Sequence, residues 1–299
     1  MPKIHCSIVV PTYNRLDTLS HVLPTLLAQT VAPETYEVLI CDSNSNDGTI
    51  DFLAALAAAH PNLRHLPGSY SGRAAARNAG VAAARGDVIL FNDSDIFASP
   101  DLLEAHLKRH AEQTRIAVVG WEVQVRDIED YVLQRDHPEL RGHLHPASRR
   151  NLSWLYFLTG NASVHREDLL RVGSFDESFT GYGHEDLELG YRLERSGVKI
   201  VYEPRAINYH CQDVPHVDQK EKMRLAGRST VRFYRKHPAF KVKLNLGMTP
   251  ISLGAHSFLT SFPGMLTWLD ARAERSAFAR NIVQQYHYVS GIKEALAQP

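Results

Sequence analysis

Asp93 and Asp95 stand two residues apart in Asn92-Asp93-Ser94-Asp95, directly after the apolar run Asp87-Val88-Ile89-Leu90-Phe91. Hard cations such as Mg²⁺ or Mn²⁺ take oxygen ligands and often bind through one or two carboxylates plus substrate phosphates. This spacing can therefore carry a cation that neutralises a diphosphate leaving group. A solvated turn or a helix cap explains a bare Asp-x-Asp as well, so the reading depends on its company. Asp42 ends a second apolar run, where a carboxylate can accept the N3–H of a uracil ring or organise a turn within Ser43-Asn44-Ser45-Asn46-Asp47-Gly48. Pro11-Thr12-Tyr13 ends the first run, and Tyr13 can floor a base or anchor a loop. Gly72, Arg73 and Arg77 open an Ala-rich pattern. A positive helix end with guanidinium groups suits an anionic nucleotide, and solvated arginines at a helix start are the plain alternative.

A second constellation is Gly181-Tyr182-Gly183-His184-Glu185-Asp186-Leu187-Glu188-Leu189. The glycines allow close backbone approach, and the adjacent carboxylates open a helix. Such a carboxylate can cap the helix or, facing a pocket, act as general base for an incoming hydroxyl. His210 follows the last strand-like run, and its imidazole is a third ligand type for the cation. With sixteen histidines in the chain, a structural His210 is the alternative.

These side chains need a scaffold that gathers strand ends. Residues 7–10, 37–41 and 87–91 read as strands and residues 16–28, 49–59 and 73–84 as helices, alternating along the chain. That order predicts a parallel sheet covered on both faces, with ligands beyond the carboxyl ends of its strands. All three polar clusters sit at such ends and are expected in one crevice. Further on, residues 116–125 read as a strand and 126–150 as a loop or lid. Residues 154–164 read as a strand carrying Thr159-Gly160-Asn161, 187–196 as a helix, and 198–202 as a last strand before Pro204. From residue 213 the pattern is helical and basic.

The 299 residues carry 33 Lys and Arg against 33 Asp and Glu, so no global field draws the chain to nucleic acid. Cys6, Cys41 and Cys211 form no CxxC pair; three sparse cysteines fit a reducing cytosol better than a disulfide framework. The first residues lead into a strand without a signal-peptide pattern, and no apolar run approaches the roughly 20 residues of a bilayer span. The expectation is a cytoplasmic chain.

Together these residues resemble a GT-A-fold glycosyltransferase of family 2, over about residues 5–212. Ser7-Ile8-Val9-Val10-Pro11-Thr12-Tyr13-Asn14-Arg15 is similar to the family's opening strand, and Asp42 with Asn46-Asp47-Gly48-Thr49 to its uracil-binding acid and turn. Residues 72–80, GRAAARNAG, are similar to the helix start beside the nucleotide, and Asp93-Ser94-Asp95 to the DXD motif. Thr159-Gly160-Asn161-Ala162-Ser163 resembles the segment lining the donor sugar. Phe175-Asp176-Glu177-Ser178-Phe179 followed by GYGHEDLELGYRL resembles the acceptor-side motif, which β4-galactosyltransferases and polypeptide GalNAc-transferases share in related form. One departure is Ser43-Asn44-Ser45, where many members carry a second acid.

The resemblance implies a Rossmann-like α/β domain, residues 1–212, with a mostly parallel central sheet flanked by helices, and a helical C-terminal extension, residues 213–299. It implies Pro11, Thr12, Tyr13, Arg15, Asp42, Gly72, Arg73, Arg77, Asp93, Ser94, Gly160 and Asn161 around a nucleotide-sugar donor, UDP-linked on the strength of Asp42. It places Asp93 near ribose and Asp95, with His210, on Mn²⁺ or Mg²⁺. Asp186 is the implied base of an inverting transfer, and Glu185 helps hold acceptor or donor hydroxyls. A retaining GalNAc-transferase-like enzyme and an inactive nucleotide-sugar-binding protein are the alternatives. A nucleotidyltransferase would instead carry a Gly-rich phosphate loop where Pro11-Thr12-Tyr13-Asn14-Arg15 stands.

Acceptor choice is expected to lie elsewhere. His137, Arg141, His143, His145, Arg149 and Arg150 match no tight zinc spacing and suit a loop near the acceptor. Trp154 and Tyr156 can stack on a sugar or pack in the core. A helix bearing Lys220, Lys222, Arg224, Arg228, Arg232, Arg235 and Lys236, followed by apolar residues 251–269, fits peripheral contact with an anionic membrane. Packing on the domain or on a second subunit fits the same pattern.

Overall fold

The computed structural model describes residues 3–141, 151–211 and 216–298, so His143, His145, Arg149, Arg150 and the expected domain junction at 212/213 lie outside the described residues. The described strands are β1 (Cys6–Thr12), β2 (Tyr36–Asp42), β3 (Leu63–Pro67), β4 (Val88–Phe91), β5 (Ile96–Ala98), β6 (Ile116–Val125), β7 (Asn151–Leu152), β8 (Ala162–His165) and β9 (Lys199–Cys211). They form one sheet in the order β3-β2-β1-β4-β8-β6-β9-β5, with β7 paired to β9. The half from β3 to β4 is parallel, as expected. The other half is mixed: β8 runs antiparallel to β4 and β6, β5 and β7 run antiparallel to β9, and β6 and β9 are parallel.

By internal contacts the chain divides into two units. One is Met1–Ser178 with Glu185–Asp213; the other is Phe179–His184 with Val214–Pro299. The first unit holds the sheet and helices α1 (Leu16–Leu27), α2 (Thr49–Ala59), α3 (Arg73–Ala83), α4 (Leu102–Glu112), α5 (Ile128–Asp136), α6 (Arg166–Val172) and α7 (Glu185–Arg195). The second holds α8 (His216–Lys236), α9 (Phe240–Asn245), α10 (Pro250–Ser261), α11 (Pro263–Asp270) and α12 (Ala277–Ala297).

Burial follows the patterning. Every residue of β1 and β2 is buried, as expected of central strands covered on both faces. On α1 the buried residues Leu19, Val22, Leu23 and Leu26 recur at helical spacing and join Ile8, Val10, Val38 and Ile40 in the core. The Ala-rich α3 lies close on the sheet: a Cβ at Gly80 would stand 2.4 Å from Val9 Cγ1. That approach seats Arg77, one turn earlier, 1 % exposed beside the strand ends.

Four expectations are corrected. The edge strand β3 went unread, because Leu63-Arg64-His65-Leu66-Pro67 is half-polar and only partly buried. Residues 126–150 are not simply a loop, since α5 forms from Ile128, capped by Asp127, whose side chain accepts from the Asp130 amide. Residues 154–164 are not one strand: Trp154–Tyr156 is a 3-10 turn and the strand starts only at Ala162. Finally, the last strand does not stop before Pro204 but runs to Cys211. The β6–β9 register steps from Gly120↔Glu203 to Trp121↔Ile207, so residues 204–206 bulge out and Pro204 needs no ladder hydrogen bond. Gly120 is required there, because a Cβ would lie 2.2 Å from the Ala206 carbonyl oxygen.

Candidate active site

A cleft of about 600 Å³ opens at the carboxyl ends of the parallel strands, within the first unit. Pro11 and Thr12 at the end of β1 and Tyr13 and Arg15 beyond it line the cleft, with Ser43 and Asn44 after β2, Gly72 and Arg73 at the start of α3, and Asp93, Ser94 and Asp95 after β4. The three polar clusters therefore share one crevice. The first two loops are latched together. The Asn14 amide donates to Ser45 Oγ at 2.8 Å, the Asn46 amide to Asn14 Oδ1 at 2.8 Å, and the Leu16 amide to Asp47 Oδ2 at 2.9 Å. Asn14 and Asn44 adopt positive φ of 48° and 58°, which asparagine tolerates better than most residues. Tyr13 is 59 % exposed, an open aromatic face on the cleft wall. Thr12 Oγ1 is buried without a protein partner among the described residues.

Asp42 ends β2 as expected, yet its carboxylate is fully enclosed. Oδ1 accepts from Ser45 Oγ at 2.5 Å, and Oδ2 lies 3.4 Å from His65 Nε2. It organises the loop that presents Ser43 and Asn44.

Arg77 is the electrostatic centre. Its Nη2 donates to Asp93 Oδ1 at 2.7 Å and its Nη1 to Glu185 Oε1 at 3.2 Å. Its guanidinium lies 5.6 Å from the Phe175 ring centroid. It is thus a buried bridge between the two acidic motifs, not a solvated helix-start arginine. Burial alone would lower its pKa, but Asp93 and Glu185 outweigh that and hold the charge firmly. The same pairing works on Asp93: burial raises its carboxyl, and Arg77 then Arg73 more than compensate, leaving it below the ordinary range. Arg73 Nε also lies 3.5 Å from Glu185 Oε1.

Asp95 behaves oppositely. Burial and then the charge of Asp93 push its carboxyl up, so the position favours an arriving positive charge. His210 supplies a neighbour. The β5–β9 pairing sets Ile96 opposite His210, and the Cys211 amide donates to the Asp95 carbonyl at 3.0 Å. His210 Nε2 then lies 3.8 Å from Asp95 Oδ1, while its Nδ1 faces Glu122 Oε1 at 3.0 Å. A carboxylate behind the far ring nitrogen is the common arrangement for orienting a metal-binding imidazole. Burial lowers the His210 pKa, but the Glu122 hydrogen bond and the acids around it win and raise it. Nε2 thus sits where a proton or a cation is favoured. Among the described residues no three His, Cys, Asp or Glu side chains form a complete cage. The donor set fits a cation that takes its remaining ligands from phosphate and water.

Glu185 and Asp186 start α7. Glu185 is buried against Arg77, and Asp186 is partly exposed, with Oδ1 accepting from the Leu187 amide at 2.8 Å. Burial first, then the Glu185 charge, pushes the Asp186 carboxyl up to about 7. A carboxylate so raised is matched to taking a proton near neutral pH.

Four expected donor contacts do not line the cleft: Asp42 and Arg77, both enclosed, and Asn161 and Gly160. Asn161 does not line the cleft: it is buried, accepting from His106 Nε2 at 2.8 Å and donating to the Ala206 carbonyl at 3.0 Å, where it satisfies the β9 bulge. Gly160 also stays out of the cleft lining; its carbonyl accepts from Asn208 Nδ2 at 2.6 Å, and a Cβ would stand 2.5 Å from Glu122 Oε2. Trp154 is fully buried and edge-on to Tyr191, 5.6 Å between centroids, so it packs in the core; Tyr156 is 37 % exposed. Residues missed by sequence reasoning are Glu122 behind His210 and Ser69, Tyr70 and Ser71 on the cleft wall. The Ser/Gly-rich stretch before α3 was a signal for the latter. Glu122 inside an apolar strand was a signal for the former.

The model for glycosyl transferase family 2 matches residues 7–173, and that for the N-terminal domain of galactosyltransferase matches residues 142–216. The chain belongs to glycosyl transferase family 2. It is 32% identical over 275 residues to validoxylamine A glucosyltransferase of Streptomyces hygroscopicus subsp. limoneus, a match covering 81% of this chain and 59% of that protein. The chain thus spans about three fifths of the length of that curated relative. Among solved structures, it resembles a mannosyltransferase from Pyrobaculum calidifontis in complex with GDP-Man and Mn²⁺ (TM-score 0.68, 20% identity, 99% of this chain and 88% of that one). It also resembles S. aureus TarS 1-349 in complex with UDP-GlcNAc (TM-score 0.60, 17% identity, 98% and 89%). These likenesses establish the GT-A fold.

Proposed function

We propose that the chain transfers a sugar from a nucleotide-sugar donor, UDP-linked, to an acceptor hydroxyl, with inversion at the anomeric carbon and with a divalent cation. The observation that carries this reading is Arg77. One buried guanidinium holds both Asp93 beside the cleft and Glu185 next to Asp186. The two halves of a transfer reaction, donor grip and acceptor activation, are thereby tied to one charge. The metal- and nucleotide-bound states of the structural relatives support the donor class.

In this reading Pro11, Thr12 and Tyr13 receive the base, with Ser43 and Asn44 opposite, and Asp93 faces the ribose. Uracil N3–H reaches Asp42 only when Ser45 Oγ gives up its bond to that carboxylate. Arg15 and Arg73 line the cleft and compensate donor charge. Asp95 and His210 would hold Mn²⁺ or Mg²⁺, with Glu122 orienting the imidazole. Bound there, the cation would neutralise charge on the departing nucleoside diphosphate. Asp186 takes the proton from the acceptor hydroxyl, and the oxygen attacks the anomeric carbon from the face opposite the leaving group. Arg77 Nη1 fixes Glu185 at 3.2 Å next to Asp186, and the Glu185 charge helps raise the Asp186 carboxyl. One carboxylate base suffices, because no general acid is needed for a diphosphate leaving group.

A hydrolysis screen of UDP-, GDP- and dTDP-sugars with and without Mn²⁺ tests the reading. Cation-dependent release of UDP is the expected result, and no cation-dependent turnover or binding with any donor would overturn it. The anomeric configuration of the product, read by NMR, separates inversion from retention.

A further inference from the structure

Between Leu246 and Leu269 the chain carries no Lys, Arg, Asp or Glu. Pro263 divides this stretch into α10 and α11, and no helix among the described residues is long and apolar enough to cross a membrane. The stretch is nonetheless poorly covered. Along α10 and its C-cap residue, Ile251, Ala255, Phe258 and Phe262 recur at i, i+4, i+7 and i+11 and are all exposed, Ile251 to 84 % and Phe258 to 57 %. Trp268 on α11 adds a ring that is 54 % exposed. The helix cannot roll this stripe inward, because His256 on its other side is stacked on Tyr286 at 4.5 Å and bonded to Ser290 at 2.8 Å.

The charge flanking the stripe along the chain is one-sided. Residues 236–280 contain six Lys and Arg and two acids, in a chain whose total charge is balanced. One of those acids, Asp270, is paired with Lys220 at 2.7 Å. The basic face of α8 does not supply this charge: Arg228 is spent on Glu294 at 2.7 Å, and Arg224 meets the same carboxylate. The guanidinium of Arg272 lies 4.0 Å from the centroid of the Trp268 ring, an apolar plate with a cationic rim.

We propose that the α10–α11 edge of the helical unit is a membrane-surface contact. Its apolar stripe enters the headgroup–acyl boundary of an anionic bilayer, while Arg272 and Arg275, directly after α11, meet the lipid phosphates. A second copy of the chain fits less well, because two-fold pairing of this edge would bring like-charged rims together, whereas an anionic surface complements them.

Flotation of the full chain with vesicles tests this, using phosphatidylcholine alone or mixed with phosphatidylglycerol. Wild type is expected to bind the anionic vesicles about tenfold more than the neutral ones, and to bind less in high salt. F258E/F262E is expected to lose about tenfold in binding, with its thermal transition unchanged. I251S, at the most exposed position, repeats the loss in a variant with little folding risk. Trp268 fluorescence is expected to be quenched by lipids brominated in the acyl chain. Wild type staying with the unbound fraction, or F258E/F262E and I251S floating like wild type, would overturn the proposal. So would a dimer in sedimentation that F258E/F262E dissolves, without vesicle binding by wild type.

Discussion

Arg77 Nη2 and Asp93 Oδ1 lie 2.7 Å apart with the guanidinium only 1 % exposed, and the same group reaches Glu185 from its other nitrogen. A buried cation between two carboxylates is tolerable only while all three are present. Arg77→Met is therefore expected to destabilise the protein by about 3–5 kcal/mol, the usual cost of leaving buried charge unpaired. Arg77→Met combined with Asp93→Asn and Glu185→Gln should recover much of that loss in urea unfolding, because the orphaned charges are gone. Recovery of stability without recovery of transfer would separate the structural role of the bridge from its role in the cleft.

Asp186 gives the pH dependence its sign. A base must be ionised to work, so transfer should fall on the acid side of about pH 7, where burial and Glu185 keep the carboxyl protonated. Asp186→Asn should lower kcat by roughly 10²–10⁴ and flatten that limb. Stability runs the other way. The folded pKa lies above the unfolded one, so the folded state holds the extra proton, and stability falls as pH rises from about 4 to about 7. Asp186→Asn should therefore raise the melting temperature more at about pH 8 than at about pH 5, read by calorimetry.

Gly80 sets how closely α3, and with it Arg73 and Arg77, rides on the sheet. A methyl group there would meet Val9 at 2.4 Å and Cys41 Sγ at 2.9 Å. Gly80→Ala is expected to cost about 1–3 kcal/mol through overpacking and to weaken donor binding by lifting the helix. Chemical denaturation and a nucleotide titration on the same variant check both effects.

The readable part of the molecule is the part where physics repeats itself. Central strands β1, β2 and β4 are unbroken apolar runs stopped by Pro, Asp or Asn, so Asp42, Asp93 and Asp95 could be set at strand ends from the sequence. Helix α2 and strand β6 begin and end at the expected residues. What stayed hidden depends on partners far along the chain. Pro204 reads as a stop until the bulge opposite Gly120 removes its need for a ladder bond. Asn161 reads as a sugar contact until the Ala206 carbonyl claims it. Arg77 reads as a donor contact, or else as a solvated helix-start cation, because both acids that bury it lie elsewhere, Glu185 more than a hundred residues on. Glu122 is, with Gln124, one of two polar residues in an otherwise apolar strand, and its meaning comes from His210 on the neighbouring strand.

The proposed transfer turns on a cation held by Asp95 and His210 on the donor diphosphate. Calorimetric titration of the chain with UDP, with and without Mn²⁺, tests it most directly. UDP should bind at least about tenfold more tightly with Mn²⁺, and Asp95→Asn and His210→Ala should each remove most of that difference while melting like wild type. UDP affinity that ignores Mn²⁺ in wild type, or a Mn²⁺ effect that survives both substitutions, would contradict it.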